Sequence, residues 1–117
     1  IACEASKIQQ VLLNILSNGA HAMAGMPDPR FILRIGIDLP TGMLKIEIED
    51  NGPGMEEDIR KRVFEPFFTT KPVGIGTGLG LSVSYFIVTE HHRGKMKVDS
   101  KPGQGTNFIV YLPLEPQ

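Results

Sequence analysis

The sequence predicts an α/β (α+β) domain: a two-layer sandwich with about three helices on one face of a mixed, mostly antiparallel sheet. Three observations predict it. Apolar residues recur at helical spacing from Lys7 to about Met23. Four shorter apolar runs read as strands and fall in adjacent pairs around glycine- and proline-rich turns. The 117 residues, 41% hydrophobic and 21% charged, are enough for one domain with its own core and too few for two.

Taken in order, Ile1-Ala2-Cys3 reads as the end of a strand. Ser6 is placed to cap the first helix, with Gln9 as its capping-box partner. Along that helix Ile8, Val11, Leu12, Ile15 and Gly19 define a core face, and Asn14, Asn18 and His21 lie on a polar stripe beside it. Asparagine competes for backbone groups and disfavours helices, so two on one stripe call for an explanation. A solvated flank and a ligand-facing stripe are both open readings.

Gly25 to Pro29 ends the helix. Phe31 to Ile37 and Leu44 to Glu49 read as a hairpin turning at Pro40-Thr41-Gly42. A short helix follows over Glu56 to Val63, acidic first and basic last, as a helix dipole favours. Phe64 to Lys71 is broken by prolines and holds three of the six phenylalanines, a pattern of loop anchoring. Gly74 to Ser82 is glycine-rich and opens a buried helix over Val83 to Glu90 that ends near His92. Lys95 to Asp99 and Asn107 to Leu112 close the chain as a second strand pair.

The totals exclude several classes. A formal net charge of -1 gives no field suited to nucleic acid or to an anionic membrane surface. One cysteine rules out an internal disulfide and suits a reducing, cytoplasmic setting. No apolar run has membrane-spanning length, so no direct membrane contact is expected, whether the parent is soluble or membrane-bound. A start at Ile1 without Met reads as a domain excised from a longer protein.

Two stretches carry the chemistry. Asp50-Asn51-Gly52-Pro53-Gly54-Met55 follows a strand, so a strand delivers a carboxylate into a glycine-bared turn. That is either an ordinary strand-ending turn or a site for the edge and face of a planar ring. The glycine run before the last helix is suited to an anion, because bare N–H groups and the helix dipole favour one. It lacks the Gly-Lys-Ser or Gly-Lys-Thr of a P-loop.

Together these parts resemble the ATP-binding catalytic domain of sensor histidine kinases. That superfamily also holds DNA gyrase, the large heat-shock chaperone and the mismatch-repair ATPases, and its fold is the Bergerat ATP-binding fold. Asn14-Ile-Leu-Ser-Asn18 is similar to the N box, and Asp50 to Gly54 to the first glycine box. Phe64 to Lys71 is similar to the F box in its nitrogen-regulator-type spelling. Gly76 to Ser82 is similar to the second glycine box, and Gly103 to Phe108 to the closing one.

The resemblance implies Mg-ATP binding and transfer of the γ-phosphate to a histidine on a partner dimerisation domain, upstream of a response regulator. In that reading residues 1–117 are a single ATP-binding domain of a multidomain kinase, with the dimerisation and phosphoacceptor helices elsewhere. Asp50 would accept from the adenine amino group, with Gly52 and Gly54 beside the base and Thr106 supporting the contact. Asn18 would offer its carbonyl oxygen to Mg²⁺. Gly76, Thr77, Gly78, Leu79 and Gly80 would line the phosphates, with Lys71 and His21 as the flanking charges. Asn14 stands where hydrolytic members carry a glutamate base, so the chain supplies Asn14 and Asn18 and no general base. The rival assignments are a gyrase-type ATPase and an anti-sigma-factor-type serine kinase. His91 and His92 are assigned to capping helix carbonyls, and Arg93 replaces a terminal glycine, where a positive φ would strain it.

Overall fold

A computed structural model describes residues 4–66, 68 and 80–114. Strands β1 (Phe31–Asp38), β2 (Met43–Asp50), β3 (Lys95–Ser100) and β4 (Thr106–Leu112) form one sheet in the order β1-β2-β4-β3. Every pairing among the described residues is antiparallel, as expected for most of the sheet. Both predicted hairpins form, and β4 inserts between β2 and β3. The ladder aligns Phe31, Asp50, Thr106 and Ser100 in one row across the four strands.

Helix α1 (Ala5–Ala22) and helix α3 (Gly80–Phe86), prolonged by a π-helical turn over Ile87–His91, lie over the sheet. The core is built where their apolar stripes meet the inward residues of β2, β3 and β4. Val11 and Ile15 of α1, Val88 after α3, and Ile48, Val98, Phe108 and Val110 of the sheet are all buried. Each such side chain contributes about 1.5–3 kcal/mol relative to exposure. On the opposite face Ile109 and Tyr111 are also buried, partly beneath the stems of Lys45 and Lys97, whose Nζ atoms lie 6.0 and 5.6 Å from the Tyr111 ring centroid.

Four expectations are corrected. Ser6 lies inside α1, whose N-cap is Glu4 with no side-chain cap; instead the Glu4 N–H donates to His92 Nε2 at 3.1 Å. The helix expected over 56–63 is the single turn α2 (Glu57–Arg60), after which the chain continues in i to i+3 turns that carry Val63 into the core. The last helix starts three residues earlier than Val83 and ends in π geometry. His92 Nδ1 meets the Ile87 carbonyl oxygen at 2.9 Å, as the capping assignment requires, whereas His91 packs edge-on to Phe86. Ile1-Ala2-Cys3 lies outside the described residues.

Strand β1 alternates as predicted, yet Leu33, Ile35 and Ile37 on its helix-side face are 60%, 66% and 50% exposed. Helix α1 sits over β2 and α3 beyond it, so among the described residues no layer covers β1 past Phe31, which meets Gly19 of α1.

Candidate functional site

The site is assembled at the end of the sheet where β2 stops and β4 begins. Asp50 is the last residue of β2, so strand pairing to both neighbours fixes its backbone. Its carboxylate is buried, and Oδ1 accepts from the Gly52 N–H at 2.9 Å. Burial pushes this carboxyl above the ordinary Asp range. Hydrogen bonds from the Gly52 and Thr106 backbone N–H groups oppose the shift, and the neighbouring Glu49 charge adds to it slightly. A carboxylate held this way is a pre-aimed acceptor.

The turn after Asp50 is clamped rather than loose. Gly54 has φ +74°, and a Cβ there would overlap the Lys101 carbonyl. Gly105 has φ +75°, and a Cβ on it would overlap the Asp50 carbonyl. The two glycine turns therefore pack backbone to backbone, joined by the Gly103 N–H on the Pro53 carbonyl at 2.7 Å. Asn51 faces away from this contact. Its Oδ1 accepts from Arg30 N at 2.7 Å and its Nδ2 donates to the Asp28 carbonyl at 2.9 Å, tying the loop after α1 to the same turn.

Helix α1 brings its polar stripe to this end. Gly19 packs so closely that a Cβ on it would lie 2.6 Å from the Phe31 ring and 3.2 Å from Asp50 Oδ2. Beside Gly19, Asn18 is half-buried and its amide makes no hydrogen bond among the described residues. Asn14, one turn earlier, is engaged: Nδ2 donates to the Gly80 carbonyl and to Ser84 Oγ, both at 3.0 Å. His21 is exposed in the last turn of the helix. Among the described residues no three His, Cys, Asp or Glu side chains cluster as a metal cage.

The structure thus brings together Asn14, Asn18, Asp50, Gly52, Gly54, Gly80 and Thr106. Lys71, Gly76, Thr77, Gly78 and Leu79 lie outside the described residues. Of the aromatic segment, Phe64 anchors as predicted, its ring 4.8 Å from that of Tyr85 and 6.2 Å from that of Phe108. A groove of about 620 Å³ runs past Met55, Arg60, Ser100, Gln104 and Thr106. It borders the site through Thr106 and Met55 but misses Asp50 and Asn18, so volume alone does not mark the chemistry.

Sequence reasoning missed Ser100. Its Oγ accepts from Met55 N, donates to the Gly105 carbonyl and meets Thr106 Oγ1, all at 2.9 Å. A serine at the end of an edge strand has no local signature, and only its alignment with Thr106 across the hairpin reveals it.

Comparison with known proteins identifies the family and the fold. Residues 3–116 match the family described as histidine kinase-, DNA gyrase B-, and HSP90-like ATPase. Sporulation kinase E of Bacillus subtilis (strain 168) is 45% identical over 114 residues, covering 97% of this chain and 15% of that protein. The signal transduction histidine-protein kinase AtoS of Escherichia coli (strain K12) is 42% identical over 94% of this chain and 17% of its own length. The chain thus spans about one-sixth of the length of these curated relatives. Among solved structures, the catalytic domain of histidine kinase ThkA superposes with a TM-score of 0.80 at 28% identity, over 97% of this chain and 71% of that one. The mycobacterial sensor histidine kinase MprB gives 0.83 at 30% identity, over 100% and 78%.

Proposed function

The chain belongs to the histidine kinase-, DNA gyrase B- and HSP90-like ATPase family, and from that premise we propose that it binds Mg-ATP and delivers the γ-phosphoryl group to a histidine on a partner helical domain. The observation that carries the reading is the buried Asp50 carboxylate, aimed by the Gly52 N–H between two interlocked glycine turns. An ionised carboxylate only accepts, so it selects the exocyclic amine of adenine and repels the carbonyl oxygen that guanine presents there. The relatives' names, a sporulation kinase and a signal transduction histidine-protein kinase, support a histidine as the acceptor.

The donor set fits a magnesium ion. Asn18 has an uncommitted amide at the mouth of the site, and Mg²⁺ takes few protein ligands while keeping water and phosphate oxygens. When bound, the ion would neutralise charge on the β- and γ-phosphates. Glycine backbone near Gly80 would meet the phosphates, with Lys71 and His21 as flanking charges. Asn14 has no titrating group near neutral pH and its amide is already spent on Gly80 and Ser84. Water therefore lacks a base at that position, whereas an imidazole nucleophile on the partner domain brings its own lone pair. That asymmetry favours phosphotransfer over hydrolysis, in a reaction that passes from ATP to the partner histidine and then to a response regulator.

The test is a titration of Mg-ATP and of the Asp50→Asn variant by calorimetry, followed by incubation with the histidine-bearing domain of the parent kinase. Micromolar to millimolar binding lost in the variant, with phosphorylation of that histidine, is expected. Equal ATP affinity in both proteins would refute the adenine assignment, and brisk ATP turnover by the domain alone would move it to the hydrolytic branch.

A further inference from the structure

The hydroxyl of Ser100 ties both glycine turns to the floor of the site, and counting protons around it fixes more than position. Ser100 Oγ receives the Met55 N–H at 2.9 Å. It also lies 2.9 Å from the Gly105 carbonyl oxygen and 2.9 Å from Thr106 Oγ1. A hydroxyl has one proton, and a carbonyl oxygen only accepts. The Ser100 proton therefore goes to Gly105, and the bond between the two hydroxyls is donated by Thr106.

Thr106 is buried and sits directly opposite Asp50 in the β2–β4 register. With its proton turned toward Ser100, Thr106 Oγ1 offers only lone pairs to anything beside Asp50. The Asp50 carboxylate, when ionised, also only accepts. Register partners share a face of the sheet, so two acceptors stand side by side on adjacent strands, and that pair matches an N–H₂ group or a water that donates to both.

We propose that Ser100 is a positioning residue for base selection: it holds the Thr106 hydroxyl as an acceptor, so that Asp50 and Thr106 together read the amine of adenine and reject a six-position carbonyl. The proposal rests on the nucleotide-binding reading and adds to it a residue that acts through Thr106 without touching the base. Removing the Ser100 hydroxyl releases the Thr106 proton, which is then free to rotate and donate to a carbonyl oxygen. The loss should appear in discrimination more than in folding.

The experiment compares Mg-ATP with Mg-ITP, which replaces the amine by a carbonyl, in the wild-type chain, Ser100→Ala and Ser100→Thr. The ratio of the two dissociation constants is expected to shrink at least about fivefold in Ser100→Ala, the worth of one neutral hydrogen bond. It should stay within about twofold of wild type in Ser100→Thr, which keeps the hydroxyl. If both nucleotides weaken equally, or neither changes, Ser100 only holds the turns together and the proposal is overturned. Should Ser100→Ala not fold, Thr106→Val removes the acceptor itself while sparing the Ser100 bonds to Met55 and Gly105. An unchanged ratio there overturns the proposal as well. Failure of the wild-type chain to bind Mg-ATP at all would instead overturn the underlying nucleotide reading.

Discussion

Asn14 donates its amide hydrogens across the gap from α1 to α3, one to Ser84 Oγ and one to the Gly80 carbonyl, each at 3.0 Å. Ser84 is fully buried and itself donates to the same Gly80 carbonyl at 2.9 Å, so the three groups close a small ring. The side chain expected to matter by lacking a carboxylate thus has a task of its own: it fixes the start of the helix that follows the glycine run.

Replacing Asn14 by Asp follows directly. A carboxylate cannot donate to Gly80, and it sets two acceptors against each other beside a buried hydroxyl. The variant should lose about 1–3 kcal/mol of stability. It should gain no steady-state ATP hydrolysis, since Ser84 Oγ can turn its proton to the new carboxylate and hold it against α3. Thermal melts and a coupled phosphate-release assay check the two halves of this prediction.

Asp50 links function to pH. Its folded-state pKa is raised above the ordinary carboxylate value, chiefly by burial. A raised pKa means that the folded chain holds this proton more tightly than the unfolded chain. The stabilisation from that proton is full below the ordinary Asp pKa and is lost as pH rises through the folded value. Stability attributed to Asp50, taken as the wild-type melt minus the Asp50→Asn melt, should therefore fall as pH rises above about 4. Adenine recognition requires the ionised form, so ATP affinity should run the opposite way and weaken on acidification. Parallel melts and ATP titrations between about pH 4 and 7 test both signs.

Most of the fold was legible because β2 is buried on one face, which forces the alternation of Ile46 and Ile48 with Glu47 and Glu49, while β4, buried on both faces, reads as an unbroken apolar run from Phe108 to Leu112. The same reading put Asp50 and Thr106 in the turns beside those strands, whereas they are the last residue of β2 and the first of β4, and it left their partnership to the resemblance, since only the β2–β4 register puts them side by side. The N-terminus of α1 was misread because its cap arrives from His92, 88 residues away, and no local motif encodes a distant acceptor. Strand β1 shows the converse. Its period was right, but alternation reports which residues share a face and not whether another layer covers that face.

This difference between β1 and β2 gives a direct comparison. Ile35 and Ile46 are register partners on the same face, 66% and 7% exposed respectively. Ile46→Ala should cost about 2–5 kcal/mol through lost burial and the cavity left behind. Ile35→Ala in the same chain should stay within about 0.5 kcal/mol of wild type. Urea unfolding of the two variants provides the measurement, and an equal loss would mean that the helix-side face of β1 is covered in solution.

Arg93 carries the one positive φ among the described non-glycine residues, +54°, at the end of the π turn. The turn is held there from both sides. Gly94 N donates to the Val88 carbonyl at 2.8 Å, and a Cβ on Gly94 would overlap the Tyr111 carbonyl, so the chain has no room to relax. His92, next in line, is committed through both ring nitrogens to Glu4 N and the Ile87 carbonyl. Arg93 therefore accepts a left-handed backbone that costs a Cβ-bearing residue about 1 kcal/mol. Glycine would remove that strain but gain freedom in the unfolded chain, which offsets part of the benefit. Arg93→Gly should accordingly stabilise the domain by a net of about 0.5 kcal/mol and raise Tm by roughly 2–4 °C. Because Arg93 lies beyond the last turn of the helix and away from Asp50 and Asn18, Mg-ATP affinity should not change. Arg93→Ala separates backbone from side chain: it keeps the Cβ, and so should show none of the gain. A stabilised alanine variant would place the penalty in the guanidinium and not in φ.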